Sequence, residues 1–223
     1  HARRVPQPLF DLGLLRLPAC RCGVVGGAVF RIGIGALPLL LPLLLQLAFG
    51  FTPLASGLTT FVSAVGAIGM KTLATRVLRR HGFRRVLMLN ALAVGASLAL
   101  YALFTPQLWH GVILAVLFFG GLLRSLQFTA LNALTYAEVE QHELSGATTL
   151  ASTAQQLAAT LGIAFGSAAL EAASALLPHA TAATPYACAF VAAGVMAALS
   201  SRWAWRLPPA AGSELSGHRW AIQ

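Results

Sequence analysis

The sequence predicts an all-α membrane protein built from six transmembrane helices, with both termini in the cytoplasm. Three observations lead there. The 223 residues are 57% hydrophobic and only 9% charged, against about 25% charged in an average soluble domain. The chain divides into six apolar stretches, each near the ~20 residues that cross a bilayer core. The basic residues fall in alternate connecting segments or inside the stretches.

Other classes are weakened by the same composition. The net charge of +9 has no Lys/Arg-rich face interleaved with aromatics, so nucleic acid is not an expected partner. Cys20, Cys22 and Cys188 are odd in number, and Cys-x-Cys is not a zinc spacing, so they read as unpaired thiols. The histidines fall in loops, termini or interfaces without metal-ligand spacing, and no Ser–His–acid set shares a depth. Neither a metal site nor enzymatic catalysis is expected. No signal-peptide pattern stands near the start, and a chain beginning at His1 is expected to be a fragment.

Residues 1–22 are basic and broken by Pro6, Pro8 and Pro18, which predicts a cytoplasmic or interfacial linker with a short helical stretch from Leu9 to Leu17. The first span is about 23–49. It carries Arg31 and Gln46, and Pro38 and Pro42 one turn apart should kink it. The second, about 54–75, is rich in Gly, Ala, Ser and Thr, which suits a packed helix. A loop should follow over Arg76, Arg79, Arg80, His81, Gly82, Arg84 and Arg85. The third span is about 86–104, and the fourth, about 109–133, starts at Trp109, an interfacial anchor. Residues 134–145 form a short acidic loop. The fifth span, about 146–171, holds Gln155 and Gln156, and the sixth is about 185–203. Residues 204–223 make a cytoplasmic tail. With the 76–85 loop inside, both ends and the 134–145 loop lie inside as well. The outer loops at 50–53, 105–108 and 172–184 contain no Lys or Arg.

Depth follows from ~1.5 Å rise per residue. Arg31 lies about 12 Å from the inner end of its span, and Arg124, Gln155 and Gln156 about 14 Å. Three helices thus place polar groups in one layer near the middle of a core about 30 Å thick. Gln127 lies one turn from Arg124. An arginine near mid-membrane costs about 2.5–3.5 kcal/mol on insertion scales, so Arg124 should face a protein interior or a wet cavity. Arg31, Gln46, Arg124, Gln127, Gln155 and Gln156 are the candidate cavity-lining residues. No acid sits in their layer. Carboxylates on a missing half, an anionic substrate, or carbonyls freed by the prolines would each compensate the arginines.

Six spans, a basic segment between the second and third, and a polar layer resemble one half of a major facilitator superfamily transporter. Local residues sharpen this. The run from Arg31 through Pro38 and Pro42 to Gln46, and Phe49-Gly50-Phe51-Thr52-Pro53 with Ser56-Gly57, resemble the C-terminal half of the fourteen-span drug:H⁺ antiporter-2 group (the EmrB/QacA type). So do Arg124-Ser125-Leu126-Gln127-Phe128-Thr129-Ala130-Leu131-Asn132 and Gln155-Gln156-Leu157 with Gly162. Gly82, Arg84 and Arg85 look like the end of the family's cytoplasmic signature, whose aspartate has no counterpart here.

The resemblance implies one six-helix bundle of a transporter that rocks between inward- and outward-open states. It implies proton-coupled export of small amphipathic or anionic compounds, no cofactor beyond the proton gradient, and an N-terminal half as partner in the bilayer. The expected location is the plasma membrane, the inner membrane of a bacterium. Two alternatives compete. One is a stand-alone or dimerising binding or scaffold protein that uses the small-residue faces at Gly23/Gly27 and Gly162/Gly166. The other is an inactive remnant of a truncated transporter gene.

Overall fold

A computed structural model describes residues 12–208 and 211–212, and among these every regular element is a helix. Six helices are long and apolar enough to cross a membrane: α1 (Pro18–Ala48), α2 (Pro53–His81), α3 (Phe83–Tyr101), α4 (His110–Thr135), α5 (Leu144–Leu176) and α6 (Thr184–Trp205). Each expected span overlaps one of them. Of the expected linker and tail, residues 1–11, 209–210 and 213–223 lie outside the described residues. Within the linker a 3-10 turn spans Leu12–Arg16, and the first span begins at Pro18, five residues earlier than expected. Pro18 suits that position, because its missing N–H would have no helical partner there.

One expectation is corrected. Arg76, Arg79, Arg80, Arg84 and Arg85 are not in a loop: α2 continues through the first three to His81, the last two open α3, and only Gly82 separates the helices. Arginine is a good helix former and no proline interrupts the stretch. The join depends on Gly82, whose φ of 73° and ψ of 157° lie where L side chains are strained. Gly82→Ala should therefore cost about 1–3 kcal/mol. A thermal melt of the full-length protein in detergent should show a lowered midpoint; an unchanged melt would mean the joint does not hold this conformation. At the other end, α5 runs past its expected limit to Leu176.

Neighbouring helices pack in the sequence α2, α4, α3, α6, α1, α5, with α5 also against α6. Three of these crossings rest on glycine. Gly35 of α1 meets Gly162 of α5, Gly66 and Gly121 bring α2 and α4 backbone to backbone, and Gly95 of α3 meets Gly194 of α6. Without side chains between them the axes approach closely, which is how helices gain packing in a solvent that offers no hydrophobic drive. The faces turned outward carry Leu92 and Leu100 of α3, Phe119 of α4 and Val195 of α6, as lipid contact requires.

Four local contacts gather one end of the bundle. The Ala19 N–H donates to the Glu138 carboxylate at 3.1 Å. Gly23 abuts Thr135, Gly26 abuts Trp203, and Gly212 lies against Phe83. The start of α1, the α2–α3 joint, the α4–α5 connection and the end of α6 thus share this end. Its helix ends carry Arg76, Arg79, Arg80, Arg84, Arg85 and Arg202. The opposite connections, 49–52, 102–109 and 177–183, hold no Lys or Arg.

Candidate functional site

α1 is broken where the site forms. Its α-helical pieces are Pro18–Arg21, Gly27–Gly35 and Leu37–Leu43, with a turn at Ala36 and π-helical turns at Cys22–Gly26 and Leu44–Ala48. Pro38 stands in the first turn of the second piece, so its missing donor is tolerated. Pro42 lies inside that piece and has no N–H to offer the Pro38 carbonyl. The chain then widens into the π turn, where the Phe49 N–H reaches Leu44.

This broken segment walls a cavity of about 790 Å³ bounded also by α2, α4 and α5. Arg31, Arg124, Gln155 and Gln156 all line it, together with Pro38 and Pro42. The side chains of Thr60 and Ser63 on α2 and of Phe128 on α4 complete its polar and aromatic wall. No Asp, Glu or His is among the lining residues.

The two arginines are held differently. Arg31 is buried. Its Nη2 donates to Asn132 Oδ1 at 2.9 Å, and its guanidinium lies 5.1 Å from the centre of the Phe128 ring. Phe128 is itself set by an edge contact from Phe30, with centroids 5.6 Å apart. A neutral amide and an aromatic face offset part of the desolvation of a charge without cancelling it. Arg124 is half-buried, and its Nη1 donates to the Tyr101 hydroxyl at 3.1 Å. Tyr101 is fully buried, stacked on Phe104 and met edge-on by Phe190. Gly120 leaves room for this pair, since a Cβ there would come within 2.7 Å of the Tyr101 oxygen.

Two candidates lie elsewhere. Gln127 is buried between α3 and α4: its Nε2 donates to the Leu87 carbonyl at 3.2 Å, and its Oε1 accepts from Asn90 at 2.9 Å. Three residues advance a helix by about 300°, so Gln127 points about 60° away from Arg124 and toward α3. Gln46 donates to Ser56 Oγ at 3.4 Å, linking the π turn of α1 to α2 beyond the cavity. Sequence reasoning missed Tyr101, Asn132, Asn90, Thr60 and Ser63 as members of the polar set. Asn132 carried a usable signal, because it shares a helix with Arg124 and is polar in an apolar run. The others required the neighbours to be in place.

α4 is the common member of these contacts. It binds α1 through Asn132, α3 through Arg124 and Gln127, and α2 through Ser125, whose hydroxyl donates to the Ala67 carbonyl at 2.7 Å.

The helices that flank the cavity are the least covered. Only 17% of the most apolar stretch of α2 and 22% of that of α5 are buried, against 56% for α1. Their open faces carry Leu58, Phe61 and Val65 on α2 and Leu157 and Leu161 on α5. The faces cited for self-association are instead used inside the bundle: Gly162 on Gly35, Gly166 on Ala36, and Gly23 on Thr135.

A sequence profile described as the Major Facilitator Superfamily matches residues 23–220. Among curated relatives, proteins named "Putative multidrug resistance protein MdtD" are similar to this chain. Those of Pectobacterium carotovorum subsp. carotovorum and Pectobacterium atrosepticum are 37% identical over 163 residues. One from Escherichia coli is 35% identical over 165 residues. In each case 73% of this chain is covered, but only 35% of the relative. The chain thus spans about a third of the length of the relatives it matches. With the profile covering most of the chain and six membrane-length helices in one bundle, the chain belongs to the major facilitator superfamily, a family of membrane transporters rather than enzymes.

Proposed function

We propose that this chain is the C-terminal half of a proton-coupled exporter of small amphipathic anions, working by alternating access against an N-terminal half. The observation that carries the reading is the placement of two guanidinium groups, Arg31 and Arg124, on one cavity whose lining holds no carboxylate. A buried and a half-buried cation without a counter-charge are costly, and an anionic substrate supplies what the wall lacks. Phe128, Ile34 and Ile163 in the same lining suit an apolar body attached to that charge.

The partner half is supported by the open faces of α2 and α5 and by relatives nearly three times as long as the matched segment. One bundle makes one wall of a path, and transporters of this kind move two walls around a central site. The protein is a multi-pass protein of the inner membrane. Its basic end faces the cytoplasm on the positive-inside rule, which puts the start of α1 and the end of α6 there. The cavity lining offers no acid to carry a proton, so the carboxylates that couple transport to the gradient belong to the N-terminal half. Export of several compounds agrees with the multidrug name of the relatives. The dimerising-scaffold reading loses its support, because its small-residue faces are already occupied.

Inverted membrane vesicles holding the full-length protein test this. Under an imposed proton gradient they should accumulate an anionic amphiphilic dye in preference to its cationic analogue, and a protonophore should abolish the uptake. Preference for the cation removes the anion assignment. Uptake indifferent to the protonophore removes proton coupling, and no uptake of either dye removes the exporter reading.

A further inference from the structure

A second recess opens away from the cavity, at the basic end of the bundle. It lies between α1 and the end of α6, has a volume of about 420 Å³, and is lined by Val29, Met196, Leu199, Arg202, Trp203 and Arg206. Its chemistry is graded along α6. Arg202 and Arg206 stand one helical turn apart on one face and are both exposed. Leu199 and Met196 continue the wall toward the bilayer interior, so the recess runs from Met196 to Arg206, a rise of about 15 Å. Trp203 stands at the level of the charges, with its Cβ packed over Gly26 of α1.

Neither guanidinium forms an ion pair or hydrogen bond with another described residue. Two cations share a face, and an apolar slot lies beneath them. A phospholipid has the complementary order: phosphate at the level of the basic and aromatic residues, acyl chain along the slot. A free phosphate would have no use for Leu199 or Met196. A headgroup with its own ammonium would set that cation beside the two guanidiniums.

We propose that this recess is a binding site for one anionic phospholipid, whose phosphodiester is held by Arg202 and Arg206 and whose acyl chain lies on Leu199, Met196 and Val29. The site is separate from the transport cavity and does not depend on what the cavity carries. A bound lipid there clamps the end of α6 to α1, the helix that carries Arg31.

The test is native mass spectrometry of the full-length protein titrated with phosphatidylglycerol or phosphatidylethanolamine. Arg202→Gln with Arg206→Gln should weaken phosphatidylglycerol binding about tenfold or more, leave phosphatidylethanolamine unchanged, and leave the thermal melt near that of the parent. Leu199→Trp fills the slot, keeps both charges, and should give a comparable loss. Arg76→Gln with Arg80→Gln, exposed at the same end, should have little effect. The proposal is overturned if phosphatidylglycerol binding survives the first pair of substitutions. It is also overturned if the control pair lowers binding equally, which would mean diffuse attraction, or if inorganic phosphate displaces the lipid, which would mean an ion site.

Discussion

Arg124→Ala, made in the full-length protein, should reduce export of an anionic substrate to background while membrane expression stays at the parental level. Arg124 is half-buried on the cavity wall with its hydroxyl partner Tyr101 held by two aromatic rings. Its remaining donors are free to meet a ligand. Removing the guanidinium from its pair with a bound substrate anion should cost about 2–5 kcal/mol, which is about 30-fold or more in apparent affinity. Arg124→Lys should keep part of the activity, because the charge remains while the planar fork is lost. Tyr101→Phe should fall between the two, since it frees the guanidinium to wander without removing it. Transport assays with expression matched by fluorescence would check the series. Normal export by Arg124→Ala would show that the cavity charge does not engage the substrate.

The second large effect is on folding. Gly121→Ala should destroy the α2–α4 crossing, although it adds a single methyl. A Cβ at Gly121 would press on the Ser63 carbonyl, and one at the facing Gly66 would press on Phe118. The obstruction is backbone, so no rotamer change relieves it, and the helices must move apart. Overpacking of this kind costs about 1–3 kcal/mol, sometimes more. Here it would also stretch the Ser125–Ala67 hydrogen bond one turn away. Gly57→Ala is the matched control, because nothing lies within 4 Å of a Cβ there. Size-exclusion profiles of the two variants in detergent should show aggregation for the first and a parental peak for the second. Identical profiles would mean that the two helices do not meet as described.

The number of crossings, their order and the sorting of basic residues were legible in the sequence, because each depends on a one-dimensional quantity: the length of an apolar run or the side on which a charge falls. Arg31, Arg124, Gln155 and Gln156 were set in one layer by counting residues, and the structure brings them to one cavity. Azimuth was not legible. Gln127 shares the helix and nearly the depth of Arg124, yet a rotation of about 60° puts it against Asn90 instead. Gln46 likewise belongs to a helix junction rather than to the wall. Which way a side chain points depends on where the neighbouring axes lie, and glycine contacts such as Gly35 on Gly162 set those axes. The persistence of α2 through its arginines was missed because charge density marks a membrane boundary without marking the end of a helix.

That persistence has a mechanical consequence. α2 is a single rod of 29 residues, about 44 Å long, and its terminal arginines are welded to it. A swing of about 10° at the far end carries the arginine end sideways by about 8 Å, roughly one Debye length at physiological salt. The charged tip therefore works as a pointer: its position relative to the phosphate layer of the bilayer reports, and is energetically tied to, the tilt of the rod that flanks the cavity.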